Sequence, residues 1–572
     1  MPIYVEKGPS KKLPIARNSL YVYTQNYDPT FTETIKLFPI RQYDGATKKW
    51  ELPLSAMSLL FKNFRGIVVK GNIEEYQQKR FESIEQYKAY LETLVPMAEF
   101  DFKTKPDPHQ VEWFNEMLDR DKVILGDPIG LGKTKQYLDV CEHRKKSRGY
   151  GKILFISKSK HKYNMAKEVK THTNSQAIVI DDGHEERMED LREFFMNDNL
   201  YYLIMGYEMA AHHARELKIM ARDMGFDGVV MDEFNKIKNW GTRGRERKDK
   251  KPHLTIQTTN LIEVINPELL ILGSGTPLTK DPTDLYAPLR LAGVEKMNIG
   301  QYERQYCKKD SFGKIYGTQN EQELSSKLWS VMIRRPKELL GLPEPRITYM
   351  PIGMSQEQRK LYDACKYQIK EELKGTKAYG MCQLAVLTRL RQITTNPLLV
   401  GADVESVKEM ILLEYLDEVI PEGEKVIVFS VYKEETLLLK ERLRMYNPAY
   451  IDGDLSSKAA QAQCDQFQED PKTKILIGSL FATMESYTMT AANHVFFMDQ
   501  SWTVTDNEQA WGRAHRRGQI KTTNVIVPYC ERTIDERVLE IHAEDSALIH
   551  EVVDGGSSNG YVSKVTAERL LA

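Results

Sequence analysis

The stretch GDPIGLGKTKQ, residues 126–136, places two glycines, a lysine and a threonine in the order that holds nucleotide phosphates. Gly130 and Gly132 leave room for backbone N–H groups to close on an anion. Lys133 would reach the β and γ phosphates, and the Thr134 hydroxyl would hold magnesium. The strict frame asks for glycine where Asp127 stands, and a glycine turn that merely carries a lysine is the plain alternative. A second candidate is FDGVVMDEFNKIKN, an apolar run ending in Asp232 and Glu233. Asp232 would coordinate the metal, and Glu233 would orient and deprotonate an attacking water. A third is NEQAWGRAHRRGQ, where Arg513 and Arg516 stand at i and i+3. That spacing predicts one shared helical face, from which both could stabilise charge developing on a transferred phosphoryl group. Taken singly, an acidic pair or an arginine-rich helix is as readily a solvated surface.

These residues need elements to position them. KVIL before the glycine loop reads as a strand and KTKQYLDVCEH after it as a helix, so phosphates would meet a helix N-terminus. Short β-branched apolar runs recur: KILFIS, YYLIMG, FDGVVMD and ELLILGSG, then KVIVFS, KILIGS, HVFFMD and TNVIVP. Separated by helical stretches, they predict an α/β chain with two tandem lobes, each a parallel sheet flanked by helices. The expected division is a small α+β domain over 1–95, a first lobe over 97–290, a helical insertion over 291–409, a second lobe over 410–545 and a tail over 546–572. In an open parallel sheet the C-terminal strand edge gathers ligands, which is where Asp232 and Glu233 would fall.

Composition narrows the class further. With 41% hydrophobic and 28% charged residues, the 572-residue chain has ample core material and no disordered or fibrous bias. Its 80 Lys plus Arg against 81 Asp plus Glu mean that any attraction to a polyanion must come from local patches. Six scattered cysteines without C-x-x-C spacing suit packing in a reducing compartment and provide no zinc frame. No leader-like or membrane-length apolar run occurs, so a cytoplasmic location without membrane partners is expected; a monomer is also expected, and the short, minimal form suggests a bacterial or phage-infected cell.

Taken in order, the motifs resemble those of Swi/Snf-type DNA translocases of helicase superfamily two. The resemblance rests on DPIGLGKTKQ, VVMDEFNKIKN, LGSGTPLTKDPTDLYAPLRL, MIRRPKELLGLPEP, LTRLRQITTNPLL, WTVTDNEQAWGRAHRRGQ and RTIDERVLE. It covers roughly residues 100–545. It implies two RecA-like lobes, ATP and Mg2+ as cofactors, and ATP hydrolysis coupled to movement on double-stranded or forked DNA. By position, Gln110 resembles the adenine-reading glutamine, and Asp127, Gly130, Gly132, Lys133 and Thr134 resemble the phosphate loop. Asp232 with Glu233 resemble the Walker B pair, and Arg513 with Arg516 the arginine fingers. Ser274, Thr276, Ser486 and Gln509 fall where the family couples the nucleotide site to DNA. Lys158, Lys160 and Lys162 fall in a strand-contacting segment, with a solvated loop as the equal alternative.

The sequence also departs from the family. Pro128 replaces an acidic residue, Phe234 and Asn235 stand for the usual Ala and His, Ser486 for a glycine and Thr488 for an asparagine; only Ser486 puts coupling geometry in question. The basic loop GTRGRERKDKKP, 241–252, is either a DNA contact or a solvated loop. FPIRQYDGATKKWELP resembles the HARP-type accessory domain of annealing helicases, with Lys48, Lys49 and Trp50 as the residues of interest. An ordinary β-turn with a core tryptophan is the alternative. The leading expectation is a motor that anneals strands or regresses forks. Alternatives are a motor that strips proteins or works on RNA, and a DNA-binding scaffold without hydrolysis.

Overall fold

The computed structural model describes residues 3–9, 18–24, 28–36, 41–45, 47–53, 67–70, 84–180, 184–238, 254–279, 281–310, 313, 315–372, 379–484 and 487–553. Ser486 and the basic loop at 241–252 lie outside these residues. The chain forms two compact units, the first mainly Met1–Lys308 with Thr318–Leu339, the second mainly Leu340–Ile549.

Unit 1 opens with a mixed sheet of strands β1 (Ile3–Pro9), β2 (Asn18–Thr24), β3 (Gln42–Asp44), β4 (Lys49–Pro53) and β5 (Ile67–Lys70), in the order β3-β4-β2-β1-β5. All pairs are antiparallel except β1 with β5. Strand alternation puts Val5 opposite Val22, with Phe31 and Ile35 of the helix Pro29–Lys36 also buried. The other face carries Tyr4 stacked on Tyr23 and the Lys49 ammonium over the Tyr23 ring.

The larger sheet of unit 1 joins β6 (Lys122–Leu125), β7 (Ile153–Ser157), β8 (Gln176–Val179), β9 (Leu200–Gly206), β10 (Gly228–Asp232) and β11 (Leu269–Gly273). Between these and a last short strand, β14 (Met332–Ile333), come two strands outside this sheet, β12 (Cys307–Lys309) and β13 (Ile315–Thr318). The sheet order is β14-β6-β11-β10-β7-β9-β8, parallel throughout. Its inner strands are buried on both faces, which is why they read as unbroken apolar runs and not as alternating ones. Register sets Gly273 beside Leu125 on one side and Asp232 on the other. The glycine loop, the acidic pair and the Ser274 loop therefore leave the sheet side by side.

Unit 2 repeats the plan with β15 (Arg346–Ile352), β16 (Val426–Ser430), β17 (Ala449–Ile451), β18 (Ile475–Ser479), β19 (His494–Phe497) and β20 (Asn524–Cys530), in the parallel order β15-β20-β19-β16-β18-β17. The 291–409 segment read as helical thus contributes β14 to one sheet and β15 to the other. It also carries the long helices Gln356–Glu372 and Tyr379–Thr395. Among the described residues no helix is long and apolar enough to cross a membrane.

Candidate nucleotide site

The glycine loop runs from the end of β6 into the helix Lys133–Arg148. Gly132 caps that helix at φ +69°, and a Cβ there would meet Gln110 Nε2 at 2.6 Å. Glycine is thus required twice, by the left-handed backbone and by the approach of the glutamine. Gln110 Oε1 accepts the Asp107 N–H at 2.9 Å in a capping box, so the side chain is held across the loop by its own helix, Pro108–Met117. On the same helix His109 donates to the Leu131 carbonyl at 2.9 Å, and the Trp113 indole donates to the Gln136 carbonyl at 2.9 Å. Lys133 Nζ donates to the Asp127 carbonyl at 2.9 Å, which places the ammonium inside the loop.

Asp127 is fully buried, and its carboxylate faces the protein. It accepts from the Arg335 backbone N–H at 3.0 Å, from Arg335 Nη1 at 2.9 Å and from Gln136 Nε2 at 3.2 Å. Arg335 Nε reaches Glu112 at 2.8 Å, while Arg334 Nη1 donates to the carbonyls of Gly126 at 2.6 Å and Gly275 at 3.2 Å. The residue that replaces the first glycine of the general motif therefore anchors the loop from the protein side. An aspartate suits this because a guanidinium, a side-chain amide and a backbone N–H together satisfy a buried carboxylate.

Beside the loop, Asp232 closes β10 and Glu233 follows it in a left-handed conformation at φ +53°. For a residue with a Cβ that conformation is uncommon, and it turns the second carboxylate sharply away from the strand direction. The Tyr137 hydroxyl donates to Asp232 Oδ1 at 3.2 Å, and the Tyr207 hydroxyl to the Asp232 carbonyl at 2.9 Å. Burial and the neighbouring Glu233 push the Asp232 carboxyl up to about 6, against the pull of Lys133, Tyr137 and Lys158. Two carboxylates crowded at a sheet edge beside a helix-N-terminal Thr134 form an oxygen donor set that a divalent cation would relieve electrostatically. Next door, Ser274 Oγ accepts from the Thr276 N–H at 3.1 Å, and Asn235 Nδ2 donates to Thr276 Oγ1 at 3.2 Å. Asn235 thus ties the acidic segment to the Ser274 loop.

Lys158 and Lys162 are buried, with Lys162 Nζ directed at the Ile180 carbonyl at 3.3 Å. Neither fits the solvent-facing phosphate contact, nor the solvated loop, that the sequence suggests. Lys158 acts on Asp232 instead. Lys160 belongs to the short helical turn Ser159–His161.

In unit 2 the helix Val504–Trp511 ends before either arginine, so Arg513 and Arg516 do not share a helical face. The chain tightens into turns there, with Arg513 N–H donating to the Ala510 carbonyl and Ala514 N–H to the Trp511 carbonyl. The Gln519 amide holds this arrangement by donating to the carbonyls of Thr490, Ala492 and Ala514. Arg516 Nη1 bonds Thr488 Oγ1 at 3.1 Å and the Tyr487 carbonyl at 3.3 Å, while the Arg513 carbonyl accepts the Met489 N–H at 3.0 Å. Both arginines are therefore joined to the TMT segment at 488–490, and Gln509 is buried in the preceding helix.

A model of the SNF2-related domain matches residues 107–399, and one of the helicase conserved C-terminal domain matches 407–518. The chain belongs to the SNF2-related family. Curated relatives include the SWI/SNF-related matrix-associated actin-dependent regulator of chromatin subfamily A-like protein 1 of Drosophila melanogaster, 24% identical over 89% of this chain and 64% of the relative. A probable chromatin-remodeling complex ATPase chain of Oryza sativa is 25% identical over 76% of this chain and 39% of its own length. An uncharacterized ATP-dependent helicase of Mycoplasma genitalium is 25% identical over 77% and 41%. The chain thus spans less than two thirds of each of these relatives. Among solved structures, a Sulfolobus solfataricus SWI2/SNF2 ATPase core in complex with dsDNA matches at 20% identity and TM-score 0.37, covering 81% of this chain and 96% of that one.

Within this SNF2-related chain, the residues that sequence reasoning passed over are those acting at a distance: Arg334, Arg335, Gln136, Glu112, His109, Tyr137 and Tyr207. One signal was present, the paired arginines of MIRRPKE, which the family pattern marks but to which the local sequence gives no task.

Proposed function

We propose that this SNF2-related ATPase is an ATP-driven translocase on double-stranded DNA that remodels branched or forked DNA by annealing strands or regressing forks. The observation that carries the hydrolytic part is the convergence of Lys133, Asp232 and Glu233 on adjoining loops at one sheet edge. Lys133 and Thr134 would hold the phosphates and Mg2+, Asp232 would hold the metal, Glu233 would take the proton of the attacking water, and Gln110 would read the base. Mg2+ supplies charge neutralisation at the phosphates when bound. Arg513 and Arg516 stabilise the phosphoryl charge, and Ser274, Thr276 and Asn235 relay the nucleotide state to the DNA-contacting segments.

Duplex DNA as the track rests on membership of the SNF2-related family. Fork preference rests on the N-terminal sheet, where Lys49 over Tyr23, the Tyr4–Tyr23 stack and exposed Lys48 give a basic, aromatic face. Against this, Lys49 is paired with Glu6, and Trp50 packs on Tyr43. The test is displacement of a third strand from a triplex by the full chain with ATP, on linear duplex and on forked templates. ATP-dependent displacement is expected, with a fork preference that is lost when residues 1–95 are deleted. Absence of displacement sinks translocation, and an unchanged preference sinks the N-terminal assignment.

A further inference from the structure

The helix Pro108–Met117 touches the phosphate loop at its N-terminal end, through His109, Gln110 and Trp113. Glu112, one turn along, faces two other elements. Its Oε2 accepts from Arg335 Nε at 2.8 Å and from the Tyr87 hydroxyl at 2.7 Å. Tyr87 sits on the helix Ile84–Glu92, which follows the N-terminal sheet in the chain. The segment leaving that helix is fastened to the same rod, since Asn115 accepts the Met97 N–H at 2.7 Å and donates to the Val95 carbonyl at 2.8 Å.

An unbroken path of hydrogen bonds therefore runs from Tyr87 through Glu112 and Arg335 to Asp127. From there Gln136 continues it to the Leu131 carbonyl at 3.1 Å. Arg335 is 2% exposed and Asp127 fully buried, so their geometry is enforced by packing and each partner is costly to lose. Tyr87 is the one member on an element outside the ATPase sheet and its flanking helices. Its hydroxyl shares the Glu112 oxygen with Arg335, so removing it takes away one of the two bonds that hold this carboxylate in place for the guanidinium.

We propose that Arg335, Glu112 and Tyr87 are positioning residues for the phosphate loop, by which the segment after the N-terminal sheet sets the affinity of the site for ATP. The inference rests on the nucleotide reading of Lys133 and its loop. The three act through the loop, by fixing where Asp127, and hence the loop carbonyl that Lys133 grips, can lie.

The test is a cycle on the full chain: Tyr87→Phe, Arg335→Lys and the double variant, with Glu112→Gln as an independent break in the same path. Each is read by titration with a fluorescent ATP analogue, by steady-state ATPase kinetics and by thermal unfolding. Tyr87→Phe should raise Kd and KM roughly threefold to tenfold while kcat at saturating ATP stays within about twofold and the melting curve is retained. Arg335→Lys should weaken binding more, and adding Tyr87→Phe to it, or to Glu112→Gln, should change little further. A Tyr87→Phe chain that binds like the wild type, or effects that multiply in both double variants, overturns the proposal. If the wild type itself neither binds the analogue nor hydrolyses ATP, the nucleotide reading has failed instead.

Discussion

The Tyr137 hydroxyl donates to Asp232 Oδ1 across 3.2 Å while occupying the space that a side chain on Gly273 would need. A Cβ at Gly273 would lie 1.6 Å from that hydroxyl oxygen, so two neighbouring strand ends are packed around one tyrosine. Gly273→Ala should destabilise unit 1 by ~1–3 kcal/mol in urea unfolding, because the ring has to move out of a filled core. Adding Tyr137→Phe should recover part of that loss and no more, since the ring carbon Cζ is itself 2.5 Å from the added atom. An alanine variant as stable as the wild type would contradict this packing.

The Arg335–Asp127 pair gives a second stability prediction. Arg335→Met leaves a fully buried carboxylate without its main counter-charge and should cost about 3–5 kcal/mol by chemical denaturation. Arg335→Met combined with Asp127→Leu should cost less than Arg335→Met alone, because no uncompensated charge remains. A double variant weaker than the single one would show that the pair contributes more than charge balance.

In unit 2, Glu435 is fully buried, and burial, Asp499 and Glu409 together raise its carboxyl to about 8. In the unfolded chain it titrates in the ordinary glutamate range, so between that range and pH 8 the folded state holds a proton that the unfolded state has released. The stability this group contributes is therefore full at low pH and is lost progressively as pH rises through 8. Glu435→Gln keeps the shape of the neutral acid without that loss. Its gain in melting temperature over the wild type should be small near pH 5, grow up to pH 8 and flatten beyond. A gain independent of pH would mean that Glu435 is ionised in the fold.

Arg516 Nη1 bonds the Thr488 hydroxyl and the Tyr487 carbonyl, which ties its guanidinium within unit 2. If it serves as an arginine finger, Arg516→Ala should lower kcat roughly a thousandfold or more while leaving ATP affinity within a few-fold. Stopped-flow nucleotide binding beside steady-state turnover separates the two. An equal loss of binding and turnover would reassign Arg516 to structure.

The sequence makes some of this legible and hides the rest for physical reasons. Lys133, Thr134, Asp232 and Glu233 could be read because their local context, apolar strand then loop then helix, is written within a few residues. Arg335 could not be assigned a task, because its partner Asp127 lies 208 residues away and only the sheet register brings them together. The strand β14 spans two residues, too few for any periodicity to show, so its segment read as helical. The spacing of Arg513 and Arg516 fits a helix, yet tertiary bonds from Gln519 and Met489 turn the chain there. Lys158 and Lys162 look like surface charge by type, and only the packing around them shows that they are buried.

The central claim is that Lys133, Asp232 and Glu233 power movement on duplex DNA. It is tested most directly by the ATPase rate of the full chain without nucleic acid and with single-stranded DNA, duplex DNA, forked DNA or RNA, using Lys133→Ala as the blank. Duplex and forked DNA should raise the rate well above that blank, and single-stranded DNA or RNA should raise it far less. A rate that no polynucleotide lifts above the Lys133→Ala blank would contradict the claim.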